Sequence, residues 1–191
     1  MFNSLIVVNN KLDILYRYNK IKLVPFGEFL PFEFFLKKFG LKKITEGHGS
    51  FSKGSNNDIL TLDNFKILPL ICYEVIFTSL IQRASPETNL IINISEDAWF
   101  GDTIGPDQHF AKAIFRAIES NVYLARSANK GFSAFVDNKG IIKKVLKPNE
   151  TGVIEFNIPI INNAQKKHKI DLIFFVLLFT CVFTFIVFKK K

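Results

Sequence analysis

Short apolar runs alternate with polar turns along most of the chain. Leu5-Ile6-Val7-Val8 predicts a strand that turns at Asn9-Asn10-Lys11. Ile14 to Tyr18 alternates as the partner strand of a hairpin, and Lys20 lies just past its end. Pro25, Gly27 and Pro31 then break regular structure. From Pro31 to Ile44, Phe32, Phe35, Leu36 and Phe39 share one helical face, while Lys37, Lys38, Lys42 and Lys43 point elsewhere. That pattern predicts a basic amphipathic helix, suited to a membrane surface or to packing on its own domain, although Gly40 weakens the helix. Thr45 to Asp58 reads as loop, with His48 a solvated residue in it. Ile59 to Leu62 and Lys66 to Ile71 predict strands around an Asp63-Asn64 turn, the second running straight into Cys72.

Beyond the cysteine, Val75 to Arg83 predicts a helix and Asn89 to Ile94 a buried strand. Glu96 to Asp102 is a dense polar and aromatic loop. Asp107 to Leu124 predicts a helix, in which Ala113, Ala117 and Ser120 form a small-residue stripe for close packing. Gly131 to Val136 and Gly140 to Val145 read as a hairpin, and Gly152 to Ile158 as a last strand. Strands alternating with helices indicate the α/β class. The expected organisation is one domain over 1–161, a polar linker over 162–169 and a membrane-spanning helix over 170–188.

That last segment, IDLIFFVLLFTCVFTFIVF, carries a single charge, Asp171, and is closed by Lys189-Lys190-Lys191. Its 17 residues from Leu172 to Phe188 make a helix of about 25 Å, at the short end for a bilayer. The closing lysines place the C-terminus in the cytoplasm and the preceding domain across the membrane, although Lys166, Lys167 and Lys169 carry charge on the other side too. No signal-peptide pattern precedes Leu5, because the apolar run is too short and no basic stretch leads it.

Charge and composition sharpen this picture. Hydrophobic residues make up 48% and charged residues 22% of the chain, which allows a sizeable core and argues against disorder. The net charge of +8 suits an anionic membrane or nucleic acid. Lysines flank apolar stretches and no nucleic-acid motif appears, so a membrane is expected and nucleic acid is not. A generic lysine-rich composition is the bland alternative. The two cysteines, Cys72 and Cys181, both lie in or beside apolar runs, which makes a disulfide framework improbable and says nothing of compartment. No metal-ligand spacing is present, and no metal or cofactor is expected.

Chemistry concentrates at Leu70-Ile71-Cys72-Tyr73-Glu74. A cysteine between a buried strand and a helix is well placed as a nucleophile, since the turn exposes the sulfur and the helix start favours the thiolate. Glu74 can act in the same pocket. A free cysteine in an apolar run is, however, more often plain core. Lys20 at a strand end could stabilise an oxyanion, with Glu28 following a Pro/Gly turn.

The strings YNKIKLVPFGEFLPF, LPLICYE, DAWFGDTIGPDQHF and RAIESNVYLARSANKGFSAFVDNKG occur in that order. Together they resemble the nitrilase-superfamily domain of bacterial apolipoprotein N-acyltransferases, from about Phe2 to Ile158, and the terminal helix matches as well. The resemblance implies an αββα sandwich, here partial, and a Glu-Lys-Cys triad. Cys72 matches the nucleophile that takes an acyl chain from a phospholipid as a thioester. Lys20 matches the oxyanion-stabilising lysine, and Glu28 a supporting glutamate. Tyr73 and Glu74 match the residues that shape the pocket. The implied acceptor is the terminal amine of a lipoprotein, and the implied location is the bacterial inner membrane, with the domain on the periplasmic side. Phe29 to Asp58 corresponds to a lipid-facing arm.

Three departures stand out. No Trp-Pro-Glu segment, which holds the family's general base, occurs before Tyr18. Glu96 stands where asparagine is usual, and Ile114 where a basic residue is common. The expectation is therefore an incomplete fragment, active only with an upstream piece that supplies the missing glutamate. A catalytically inactive membrane-anchored remnant and a hydrolase of small amides are the alternatives.

Overall fold

The computed structural model describes residues 1–32, 38, 50–55, 59–82, 88–161 and 170–189. Two strands, β1 (Ser4–Val8) and β2 (Ile14–Asn19), form the predicted antiparallel hairpin. Asn9 closes its turn by accepting from the Lys11 and Asp13 N–H groups at 2.8 and 2.9 Å. Such a side chain substitutes for a backbone turn bond. The remaining strands, β3 (Leu60–Leu62), β4 (Phe65–Ile71), β5 (Leu90–Glu96), β6 (Tyr123–Asn129), β7 (Ser133–Val136) and β8 (Ile142–Leu146), line up in chain order as a six-stranded sheet.

The middle of that sheet is parallel and its flanks are antiparallel. Parallel neighbours need a crossover between them. A 3-10 turn at Cys72–Ile76 and the short helix α1 (Thr78–Gln82) connect β4 to β5. A second 3-10 turn at Asp97–Phe100 and helix α2 (Gly105–Ser120) connect β5 to β6. This explains why β4 and β5 read as continuous apolar runs: Leu68, Leu70 and Ile91 are fully buried. Ala113 and Ala117 have no exposure, so the small-residue stripe of α2 does pack against the core as expected. Leu5, Tyr18 and Ile21 join the same core cluster, which docks the hairpin onto the sheet domain.

Four expectations need correction. The helix read over Asp107 to Leu124 stops at Ser120, because Asn121 adopts a left-handed φ of 54° and donates its N–H back to Ile118. Tyr123–Asn129 is instead β6, a central strand that Ala125, Arg126 and Ser127 hide from propensity reading. The helix read over Val75 to Arg83 is divided into the 3-10 turn and α1, broken at Phe77. Gly152 to Ile158 forms no strand; Phe156 and Ile158 pack on the smaller core cluster without joining a ladder. Phe156 does so by stacking near Tyr123 and Phe135, at ring separations of 6.2 and 5.8 Å. Its period of two was legible, but its lack of a hydrogen-bonding edge was not.

Of the amphipathic segment read over Pro31 to Ile44, only Pro31, Phe32 and Lys38 fall among the described residues, with Phe32 exposed. His48 lies outside them. The terminal helix forms as α3 (Ile170–Lys189). Among the described residues, however, no helix is long and apolar enough to cross a membrane.

Leu124, the second residue of β6, has no exposed surface. Leu124→Ala is expected to lower stability by about 2–5 kcal/mol, read from the denaturant midpoint, since it leaves a cavity between sheet and helix.

Candidate active site

Cys72 begins the 3-10 turn that ends β4, and its φ of 53° lies in the left-handed region. A residue with a Cβ occupies that region only when its surroundings hold it there. The sulfur is half-buried, with the Glu96 carbonyl 4.0 Å away. The expected strand-to-turn placement of the cysteine is therefore present.

Glu74, two residues on, is fully buried. Its Oε1 accepts from the Ile21 N–H at 2.7 Å, the Lys22 N–H at 2.9 Å and the Tyr18 hydroxyl at 3.0 Å. Its Oε2 accepts from the Ile71 N–H at 2.9 Å and again from Tyr18 at 3.1 Å. Burial raises the pKa of Glu74, and the three backbone N–H groups and Tyr18 oppose that rise. Burial, followed by the Glu74 charge, likewise raises Tyr18. Glu74 thus lines no open pocket. It ties the segment after β2 to the cysteine turn.

That tie locates Lys20. The residue is only 1% exposed, and its Nζ lies 2.8 Å from Glu28 Oε2. Buried lysines are rare unless paired. The same Glu28 oxygen accepts from the Val24 N–H at 2.8 Å, and Oε1 accepts from Asn3 at 2.7 Å. The segment around Gly54 covers Lys20, with the Gly54 N–H donating to the Lys20 carbonyl at 2.8 Å. A Cβ at Gly54 would collide with the Asn19 carbonyl, so only glycine permits this approach. Lys20 and Glu28 are brought together directly, and Glu74 joins the backbone beside Lys20 to the backbone beside Cys72. Tyr73 stands apart from both: it is partly exposed, and its ring lies 5.8 Å from His109 and 6.2 Å from Phe77.

A second polar group flanks the cysteine, and the sequence reading gave its members no role. The sheet register aligns Leu70, Asn93 and Arg126 across β4, β5 and β6. Asn93 donates to the carbonyls of Leu70 at 3.1 Å and Cys72 at 3.4 Å. Arg126 donates to Asn93 Oδ1 through Nη1 and to Asp97 Oδ2 through Nη2 at 2.7 Å. Ser95 and His109 Nδ1 bind Asp97 Oδ1 at 2.6 and 2.9 Å. A carboxylate only accepts, so Nδ1 is the donor. Burial pushes the Asp97 pKa upward, but the His109 bond, the Arg126 charge and the Ser95 bond outweigh it and hold the value at about 2. Gly131 permits this packing, because a Cβ there would meet the Asp97 carboxylate. Asn93 inside the apolar string LIINI and Arg126 directly after YLA were the available signal.

Glu96, at the usual asparagine position, accepts from the Ala98 N–H at 3.1 Å and from Asn129 at 2.8 Å. Its side chain caps the 3-10 turn, while its carbonyl faces the cysteine.

The family model for carbon–nitrogen hydrolase matches residues 1–166. A curated apolipoprotein N-acyltransferase of Allorhizobium ampelinum is 42% identical over 153 residues, covering 80% of this chain and 29% of its own. That of Brucella melitensis biotype 1 is 42% identical over 159 residues, covering 83% of this chain and 30% of its own. The chain therefore spans about 30% of the length of these relatives. Among solved structures, Saccharomyces cerevisiae Nit3, of branch 10 of the nitrilase superfamily, matches with a TM-score of 0.58 at 19% identity, over 78% of this chain and 51% of its own. An amidase from Nesterenkonia sp. AN1, with an acetamide moiety covalently added at its active-site cysteine, matches with a TM-score of 0.55 at 19% identity, over 76% and 52% of the two chains. These structures establish a nitrilase-like α/β fold.

Because the Asp97 pKa is depressed in the folded state, its contribution to stability is present above the unfolded value near 4 and is lost as pH falls through about 2. The stability gap between the unsubstituted chain and Asp97→Asn is expected to shrink by about 2 kcal/mol between pH 6 and pH 2. Urea titrations at each pH measure it.

Proposed function

This chain belongs to the carbon–nitrogen hydrolase family, and we propose that it carries the nucleophile and oxyanion groups of an apolipoprotein N-acyltransferase. Lys20 carries the reading. Burying a cation has a large desolvation cost, yet this one sits 1% exposed, steadied by Glu28 and tied through Glu74 to the cysteine turn. The name borne by relatives at about 42% identity supports acyl transfer over amide hydrolysis, since likeness to amidases stops at the fold.

In the proposed reaction the Cys72 thiol loses its proton and Sγ attacks the ester carbonyl of a phospholipid acyl chain. Lys20 Nζ stabilises the oxyanion that forms. The ester C–O bond breaks, the lysophospholipid oxygen leaves with the proton, and an acyl thioester remains on Cys72. The terminal amine of a lipoprotein then attacks: a C–N bond forms, the C–S bond breaks, and the amine proton returns to sulfur. Tyr73 shapes the mouth of the site, and Glu28 and Glu74 support it.

Neither supporting glutamate is free to carry the proton. Lys20, Val24 and Asn3 occupy Glu28, and backbone groups and Tyr18 occupy Glu74. We assign the proton carrier to a glutamate other than these two, which the N-terminal portion of a relative could supply. The domain over 1–161, the linker over 162–169 and the helix over 170–188 complete the proposal. The helix and the Phe-rich arm hold the domain at the periplasmic face of the bacterial inner membrane.

The test co-expresses this chain with the N-terminal portion of the Brucella relative and incubates both with phosphatidylethanolamine vesicles. An acyl adduct on Cys72 that hydroxylamine removes is expected by mass spectrometry. It should be absent in Cys72→Ser and to form about 10²–10³-fold more slowly in Lys20→Met, as for loss of one oxyanion donor. No adduct under any pairing would favour an inert membrane-anchored remnant. Turnover of a soluble amide, indifferent to phospholipid, would favour a hydrolase.

A further inference from the structure

Asn93 has two amide protons and one acceptor oxygen, and every one of them has a partner. The oxygen and nitrogen of an amide are alike in shape. Here Arg126 removes the ambiguity. A guanidinium only donates, so the atom facing Nη1 is the oxygen, and the NH₂ must face the carbonyls of Leu70 and Cys72. Arg126 is in turn fully buried at its side chain and locked by Asp97, which Ser95 and His109 hold on its other oxygen. The chain of contacts runs from β6 through β5 to the one residue of β4's end that occupies the left-handed region.

We propose that Arg126 and Asn93 are positioning residues: Arg126 orients the Asn93 amide, and the amide clamps the Cys72 carbonyl so that the turn presents Sγ. This rests on Cys72 being the nucleophile and adds how its geometry is kept. The clamp holds the peptide group that follows Cys72, and the Glu74 bond to the Ile71 N–H holds the chain one residue before it, so the strained residue is bracketed on both sides.

A near-isosteric change separates clamping from mere packing. In Asn93→Asp the carboxylate still accepts from Arg126 but cannot donate to either carbonyl. The full chain carrying Cys181→Ser, which leaves Cys72 as its sole thiol, is treated with iodoacetamide, and the rate is followed by mass spectrometry. Asn93→Asp is expected to slow Cys72 alkylation by about tenfold, the scale of releasing one strained backbone residue, while circular dichroism and the unfolding midpoint stay near those of the parent. Arg126→Lys, which cannot reach Asn93 and Asp97 together, should slow it similarly. Alkylation at the parent rate in folded Asn93→Asp overturns the proposal. If only Arg126→Lys keeps the native spectrum, its rate decides in the same way. If neither does, the network is a requirement of the fold and the positioning role fails. Iodoacetamide needs no lipid, so failure of acyl transfer would leave this comparison intact.

Discussion

A single buried carboxyl group, that of Glu74, joins the two halves of this structure. It accepts from Tyr18 at the end of β2, from the next two backbone groups after Lys20, and from Ile71 just before the cysteine. The hairpin also rests on the sheet domain through the apolar contacts of the shared core. Such contacts are non-directional and do not set the position of a lysine relative to a thiol. Directional bonds to a fully buried acceptor do. The desolvation that raises the pKa of Glu74 is the energetic counterpart of that precision.

The neighbourhood of Cys72 is organised by division of labour between two polar groups. On one side, Glu74 and Glu28 have every oxygen engaged and fix the approach of Lys20. On the other, Asp97 and Arg126 neutralise each other, His109 on the helix hydrogen-bonds Asp97, and Asn93 is left to face the cysteine turn. Buried charges in both groups are compensated by partners rather than by solvent, which is what allows them to sit beneath an apolar core. The exposed Tyr73 and the half-buried sulfur lie between these groups, where a substrate could arrive.

Reading the sequence recovered the hairpin, β3 to β5, the β7–β8 pair and most of α2, because each follows a local period or turn signal. It also singled out Cys72, Lys20 and Glu28, since motif strings and strand-end placement are visible without coordinates. It missed β6 because Arg126 looks like a surface residue until Asp97 and Asn93 are known to surround it. It turned the segment at Phe156 into a strand because alternation reports a buried face and not a ladder partner.

What the sequence determined by itself was the class of chemistry and the local elements that could bear it: a thiol at a strand end, a lysine at another, apolar runs long enough for a parallel core. What only the tertiary structure decided was the work of the polar residues between them. Glu74 reads as a pocket carboxylate and is a fully buried fastener; Asn93 and Arg126, which have no role in the linear sequence, are neighbours in register. The physical reason is that hydrophobic patterning is a property of adjacent residues. A hydrogen bond between positions more than fifty apart, such as Ile21 to Glu74, exists only once the chain has closed.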